Sequence, residues 1–233
     1  MKLPKVLVFT TIYSGKDYIL DEFVKVSQQI NYPNYKHIYI DNSKGTSYLR
    51  RLRQKGLTAF HVERGATSRE ALARCQNFAR QYALKHDYDY AMSLESDIMV
   101  PKDVIQKLMR HAKDVVTGLY HIGDRDKGQR VPCIALPYFD KELIANGSRL
   151  LRPEEWPHYH MKGLKQVHTG GFGVCLIYKT VLQKIPFYFD PRFGGHSDIY
   201  FFSRCFENRI NVYVDTDIVC DHKNSKWSDV KDR

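Results

Sequence analysis

Short apolar runs recur along the first half of the chain, and each closes on polar residues. Val6-Leu7-Val8-Phe9 is continuous, as expected of a strand buried on both faces of a parallel sheet. It ends in Thr10-Thr11-Ile12-Tyr13-Ser14-Gly15. Ile19, Leu20, Phe23, Val24 and Ile30 then recur at helical spacing until Asn31-Tyr32-Pro33-Asn34 breaks the pattern. His37 to Ile40 is the next strand, closing on Asp41-Asn42-Ser43. Strand, helix and strand make a βαβ unit with a right-handed crossover, which predicts Thr11, Tyr13 and Asp41 along one sheet edge. Residues 46–55 predict a short basic helix and Ala59 to Val62 a third strand. Thr67 with Glu70 three positions on is a capping-box pattern. The helix it opens runs to about Lys85, with Arg69 in its first turn. Tyr88 to Leu94 is a buried strand. Pro101 reads as the first residue of a helix that buries Val104, Ile105, Leu108 and Met109, and Val115 to Tyr120 is a further strand.

From His121 to about Lys165 the pattern is less regular. Asp124 to Gly128 is a charged loop, and Val131 to Phe139 reads as a strand that Pro132 and Pro137 demote to an edge. Val174 to Tyr178 is a clear strand. Ser197 and Asp198 open an apolar, aromatic helix, and Asn211 to Val214 and Ile218 to Cys220 are late strands ending at Asp221-His222-Lys223. Alternating strands and helices predict an α/β fold: a mostly parallel central sheet flanked by helices, with a mixed C-terminal portion.

Composition narrows the class. At 233 residues the chain is long enough for a sizeable core. The net charge of +10 suits anionic partners, including peripheral contact with an anionic membrane surface. The basic residues are scattered and no base-stacking or groove-reading motif appears, so no nucleic-acid partner is expected. Five cysteines without a Cys-x-x-Cys pair predict free thiols in a reducing compartment. The first apolar run is too short for a signal-peptide core, and no stretch approaches a transmembrane span. The expected location is cytoplasmic, where the Asn146-Gly147-Ser148 acceptor pattern has no consequence.

The candidate chemistry centres on Glu95-Ser96-Asp97. In an open α/β sheet ligands bind beyond the carboxyl ends of the strands, and residues i and i+2 of an extended segment point the same way. Both carboxylates then reach one divalent cation; the plain alternative is a solvated acidic turn. Gly170, Gly171 and Gly173 around Phe172 let backbone approach a ligand closely, or simply make a tight turn. Trp156 sits in an aromatic and polar stretch, Glu154 to His160, that suits a sugar or a loop pinned by one buried ring. Asp198 is either a helix cap or a working carboxylate. There is no Gly-x-Gly-x-x-Gly dinucleotide fingerprint.

In this order, the motifs resemble the GT-A-fold glycosyltransferases, within them the family-2 enzymes that use nucleotide-diphosphate sugars, over nearly the whole chain. The resemblance implies that Thr11-Ile12-Tyr13 cradles the nucleotide base, that Asp41 contacts base or ribose, and that Arg69 lies near the base. It places Glu95-Ser96-Asp97 at the Asp-x-Asp motif, with His222 as a late metal ligand. Gly170, Gly171 and Phe172 then face donor sugar and acceptor, with Trp156 and His196 as further substrate contacts. His196-Ser197-Asp198 resembles the x-Glu-Asp motif whose final aspartate is the base of inverting enzymes. Glu95 and Ser197 depart from the family's aspartate and glutamate. No Gln-x-x-Arg-Trp motif is present, which favours single transfer over polymerisation. One domain over 1–233 is implied, with a nucleotide-binding half (1–100) and an acceptor-side half (101–233).

The implied reaction moves a sugar from a nucleotide-diphosphate sugar, uridine first and guanosine second, to a glycan, lipid-linked or protein hydroxyl with inversion. Two carboxylates and an imidazole suit Mn2+, with Mg2+ second. The competing readings are a non-catalytic nucleotide-sugar or carbohydrate-binding protein and a nucleotidyltransferase. The latter lacks its usual glycine-rich, lysine-bearing first loop.

Overall fold

The computed structural model describes residues 3–124, 129–137, 148–150, 155–160, 162–192 and 195–223. Arg125 to Gly128, Tyr138 and Phe139, Asn146, Gly147, Glu154, Phe193 and Gly194 lie outside the described residues. In chain order the elements begin with β1 (Val6–Ile12), α1 (Leu20–Ser27), β2 (Tyr35–Asp41), α2 (Ser47–Gln54), β3 (Ala59–His61) and α3 (Ser68–Lys85). Then come β4 (Tyr90–Leu94), β5 (Ile98–Met99), α4 (Val104–Met109), β6 (Val115–Leu119), β7 (His121–Asp124), β8 (Gln129–Pro132), β9 (Ala135–Pro137) and β10 (Ser148–Leu150). The chain continues through α5 (Trp156–His160), β11 (Leu164–Val167), β12 (Val174–Tyr178), α6 (Lys179–Lys184), α7 (Ser197–Glu207), β13 (Val212–Val219) and β14 (Asp221–His222).

Eight strands form the central sheet in the order β11-β13-β6-β12-β4-β1-β2-β3. β12 runs antiparallel to both neighbours and β11 antiparallel to β13; the other pairings are parallel. This is the mostly parallel α/β sheet that the alternation predicts.

Strand alternation sends successive side chains to opposite faces. Leu7 and Phe9 join a buried layer with Cys75, Ala79 and Ala83 of α3 and with Phe201, Phe202 and Cys205 of α7. Val6 and Val8 join the other layer, with Leu20 and Phe23 of α1, Leu52 of α2 and Val104, Ile105 and Leu108 of α4. The small residues Ala71, Cys75, Ala79 and Ala83 recur every four positions, on one face of α3, and are all buried. That narrow stripe lets a long helix sit close against the strands. Its start is fixed as expected: Thr67 Oγ1 accepts from Glu70 N at 3.1 Å. Glu70 closes the box one residue upstream, accepting from Ala66 N at 2.8 Å.

Two helix starts differ from the sequence reading. The first helical stretch opens as a 3-10 turn over Ser14–Ile19 before α1, and α1 ends at Ser27, so Ile30 is buried beyond it. Pro101 does not begin α4. Its carbonyl accepts from Val104 N at 3.1 Å, and the helix starts there, one turn later.

Candidate active site at the sheet edge

The parallel strands deliver polar residues to one edge. β1 ends at Thr11 and Ile12, and Thr10 Oγ1 donates to Leu94 O at 2.8 Å, tying the ends of β1 and β4 together. Glu95, Ser96 and Asp97 follow directly. Glu95 N donates to Gly173 O at 2.9 Å, and Ile98 N donates to Glu95 O at 3.1 Å, so the triplet is a defined turn. His222 comes from far along the chain. β14 pairs antiparallel with β5, with His222 opposite Ile98, and Lys223 N donates to Asp97 O at 2.8 Å. A two-residue ladder thus carries His222 to the acidic turn.

One ligand atom from each of Glu95, Asp97 and His222 lies within 4.8 Å of the others. Opposite ligands of an octahedral ion with bonds near 2.1 Å stand about 4.2 Å apart, so the three side chains close on a small divalent cation with little movement. The imidazole is oriented for it. His121 O can only accept, so His222 Nδ1 carries the proton of their 2.9 Å hydrogen bond and Nε2 is left facing Asp97 Oδ2 at 3.4 Å. A metal-binding histidine is commonly held in this way.

The two carboxyls are pushed apart. Burial and then the Asp97 charge push Glu95 up to about 7. Burial also works against Asp97, but the neighbouring His222 and Lys16 side chains overcome it and bring Asp97 down to about 2. Burial lowers His222, and its contact with the Asp97 carboxylate raises it above the ordinary histidine range. Lys16 Nζ is ion-paired with Asp97 Oδ2, both side chains being largely buried.

Around this group lies a cleft of about 640 Å3 lined by Thr11, Tyr13, Arg69, Glu95, Ser96, Asp97, His196 and His222. Ile12, Lys16, Asn42, Arg64, Ser68, Leu72 and Ile122 complete its wall, and of these Lys16, Arg64, Ser68, Leu72 and Ile122 were not singled out by the spacing. The Arg64 guanidinium lies 5.1 Å from the centre of the Tyr13 ring, within cation–π range. A lysine and two arginines thus line the same cleft as the carboxylate cluster, a charge set able to meet an anion and a cation together.

Other candidates lie elsewhere. Asp41 is fully buried and does not line the cleft. Its Oδ1 accepts from Ser43 N at 2.9 Å and its Oδ2 pairs with His61 Nδ1 at 3.1 Å. The next residue, Asn42, is the one that faces the cleft. Asp41→Ala is therefore expected to destabilise the fold by about 1–3 kcal/mol, the cost of orphaning buried partners. Arg69→Ala, whose side chain lines the cleft, should instead weaken nucleotide binding by roughly tenfold to a hundredfold. Denaturant melts and calorimetry on the two variants separate these effects.

Phe172 is buried among Phe187, Phe201 and Phe202, with ring centres 5.1–5.4 Å away, so it is a core residue rather than a sugar contact. Trp156 packs against the same layer. Neither lines the cleft. The glycines answer to packing: a Cβ on Gly170 would run into the Thr117 hydroxyl and stand 2.9 Å from its Cβ. Gly171 has φ of 69°, and a Cβ there would run into the Tyr120 hydroxyl and stand 2.7 Å from Cys133 Sγ. Gly171→Ala is expected to cost about 2–5 kcal/mol, from roughly 1–2 for the left-handed backbone and roughly 1–3 for overpacking. The denaturation midpoint reads it directly. A glycine kept only for ligand access would leave that midpoint unmoved.

Asp198 stands at the start of α7, with Oδ1 accepting from Ile199 N at 2.8 Å. It is outside the cleft wall but close enough for its charge to act on Glu95 and Cys133. Burial raises its carboxyl above the ordinary aspartate range. Ser197 is a tie between helices, its hydroxyl donating to Gln76 Oε1 at 2.6 Å in the interior.

No curated protein sequence matches the chain. Among solved structures, GalNAc-T7 with UDP, GalNAc and Mn2+ superposes with a TM-score of 0.63 at 12% identity, over 94% of this chain and 44% of that one. Residues 1–349 of S. aureus TarS give 0.57 at 14% identity, over 97% and 63%. The mannosyltransferase PcManGT from Pyrobaculum calidifontis, in complex with GDP-Man and Mn2+, gives 0.56 at 14% identity, over 97% and 58%. The chain thus spans less than two thirds of each of these proteins, and identities this low speak for the shared GT-A fold alone. A family model, Anp1, matches residues 16–138, from Lys16 through the Glu95-Ser96-Asp97 turn and beyond. That match covers more than half of the chain, and with the sheet and cleft described above it shows that the chain belongs to the Anp1 family, a mannosyltransferase-type family of GT-A glycosyltransferases.

Proposed function

We propose that this glycosyltransferase moves a sugar from a nucleotide-diphosphate sugar to an acceptor hydroxyl with inversion, using a divalent cation held by Glu95, Asp97 and His222. The observation that carries the reading is the convergence of those three side chains in a cleft also lined by Lys16, Arg64 and Arg69. The donor set fits Mn2+, which tolerates a nitrogen ligand beside carboxylates. Such an ion supplies positive charge where the diphosphate leaves. Lys16, Arg64 and Arg69 orient and neutralise the same phosphates. Thr11, Tyr13 and Asn42 form the base and ribose end of the cleft.

Asp198 is the base in this reading. Its raised carboxyl is a stronger proton acceptor than an exposed aspartate, and its charge acts on Glu95, which supports a place for it on the sugar side of the diphosphate. An oxygen of the acceptor attacks the anomeric carbon, the bond to the phosphate oxygen breaks, and the hydroxyl proton passes to Asp198. The acceptor-side half, residues 101–233, supplies this carboxylate and His196.

The mannosyltransferase character of the family makes GDP-mannose the first donor to assay, ahead of the uridine sugars expected from the sequence. The neighbour PcManGT, bound to GDP-Man and Mn2+, points the same way. The decisive experiment incubates the protein with GDP-mannose or UDP-sugars, with Mn2+ or with chelator, and follows nucleoside diphosphate release and the product anomer. Release that is unaffected by chelator would remove the metal from the reading. A product that keeps the donor's anomeric configuration would remove the inversion. No release from any donor would favour a binding protein.

A further inference from the structure

We propose that Lys16 is a resident counter-ion at the metal position, displaced onto the diphosphate when donor binds, so that divalent cation and nucleotide enter the site cooperatively. The inference rests on the metal-dependent reading above. Lys16 Nζ pairs with Oδ2 of Asp97, and that same oxygen faces His222 Nε2 at 3.4 Å. The Lys16 side chain is only 14% exposed and that of Asp97 3%. The ammonium therefore sits where a cation bound by Glu95, Asp97 and His222 would place its own charge. Two cations on one largely buried carboxylate oxygen repel strongly, so the ammonium must leave before the metal is held well.

Where it goes follows from its anchoring. Lys16 N donates to Tyr13 O at 2.9 Å, and Ser14 N donates to Ser43 Oγ at 2.8 Å, so the backbone of this turn is fixed. Only the four-carbon stem can swing. Within its reach is the cleft lined by Arg64, Arg69 and His196, and a diphosphate lying there gives the ammonium a new anionic partner. Metal alone must break the Lys16–Asp97 pair; metal with nucleotide breaks the same pair but brings the ammonium a phosphate in exchange. By reciprocity each ligand then raises the other's affinity by the same factor. A permanent ion pair that merely fixes the Asp97 rotamer would add nothing to the coupling that the metal and the diphosphate have through their own contact.

The test compares the parent with Lys16→Met and Lys16→Arg. Free Mn2+ is followed by electron paramagnetic resonance, first alone and then with GDP or UDP. Lys16→Met should bind Mn2+ alone more tightly than the parent, within the roughly 5- to 150-fold span of site couplings. It should bind the diphosphate more weakly at saturating Mn2+. Lys16→Arg should track the parent in the absence of nucleotide. Equal or weaker Mn2+ binding by folded Lys16→Met overturns the proposal while leaving the metal reading intact. A parent that takes up no Mn2+ even with nucleotide overturns both. The parent's melting shift with Mn2+ and GDP or UDP together should exceed the sum of the separate shifts by more than that of Lys16→Met does. The full shift with Mn2+ only overturns the proposal.

Discussion

Asp97→Asn is expected to remove donor turnover, by about a thousandfold or more. A bound divalent ion contributes several kcal/mol of charge stabilisation to the transition state, and about 1.4 kcal/mol is a factor of ten. The substitution keeps the shape but removes the charge that His222 and Lys16 both face. Mn2+ and nucleotide affinity should fall together. Stability should drop as well, by up to about 3–5 kcal/mol, because one charge of a largely buried ion pair is removed. The pH dependence has a definite sign. Asp97 is held below its ordinary value of 3.8, at about 2, so its contribution is complete above the ordinary value and is lost as pH falls through about 2. Titration calorimetry and acid melts of parent and variant measure both effects. Unchanged Mn2+-dependent nucleotide affinity in Asp97→Asn would show that the acidic turn is not the metal site.

Asp198→Asn should separate chemistry from binding. Transfer to acceptor is expected to fall by about a hundredfold to ten-thousandfold, the span of general-base contributions. Donor nucleotide affinity should hold, because Asp198 is outside the cleft wall that Lys16, Arg64 and Arg69 line. The amide oxygen can still accept from Ile199 N, so the melting temperature should stay near the parent value. Burial raises the Asp198 carboxyl, and the base works only when ionised. The acid limb of the parent's rate profile should therefore lie above the ordinary aspartate range, with activity lost as pH falls through it. Normal transfer by Asp198→Asn, with the product anomer inverted, would leave the base elsewhere.

Much of the scaffold was legible because it obeys short-range rules. The Val6–Phe9 run, the Thr67–Glu70 cap and the α3 stripe each depend on neighbours within one or two turns. The acidic turn was legible for a related reason: an apolar strand that stops at two carboxylates puts them at a sheet edge. The residues that were misplaced depend on direction rather than spacing. Asp41 ends a strand as expected, yet its side chain turns inward to Ser43 and His61 while Asn42 turns to the cleft. Gly170 to Gly173 permit close approach, but the groups that approach are Thr117 and Tyr120. Lys16 left no periodic trace: a lone lysine in a polar turn gains its meaning only from Asp97, 81 residues away.

The antiparallel β12 has a consequence for anyone dividing the molecule. It is the strand that covers the flank of β4, with Val174 against Leu94 and Leu176 against Met92, though it is made some eighty residues later. A fragment ending near residue 100 would carry the acidic turn yet present a bare, apolar strand flank to solvent, the kind of surface that pairs with copies of itself. The C-terminal fragment would hold β12 and β6 with no β4 between β12 and the rest of the sheet. Cut pieces are thus better suited to recombining with each other than to separate expression. A split reporter made at that point would regain its cleft only when both halves are present.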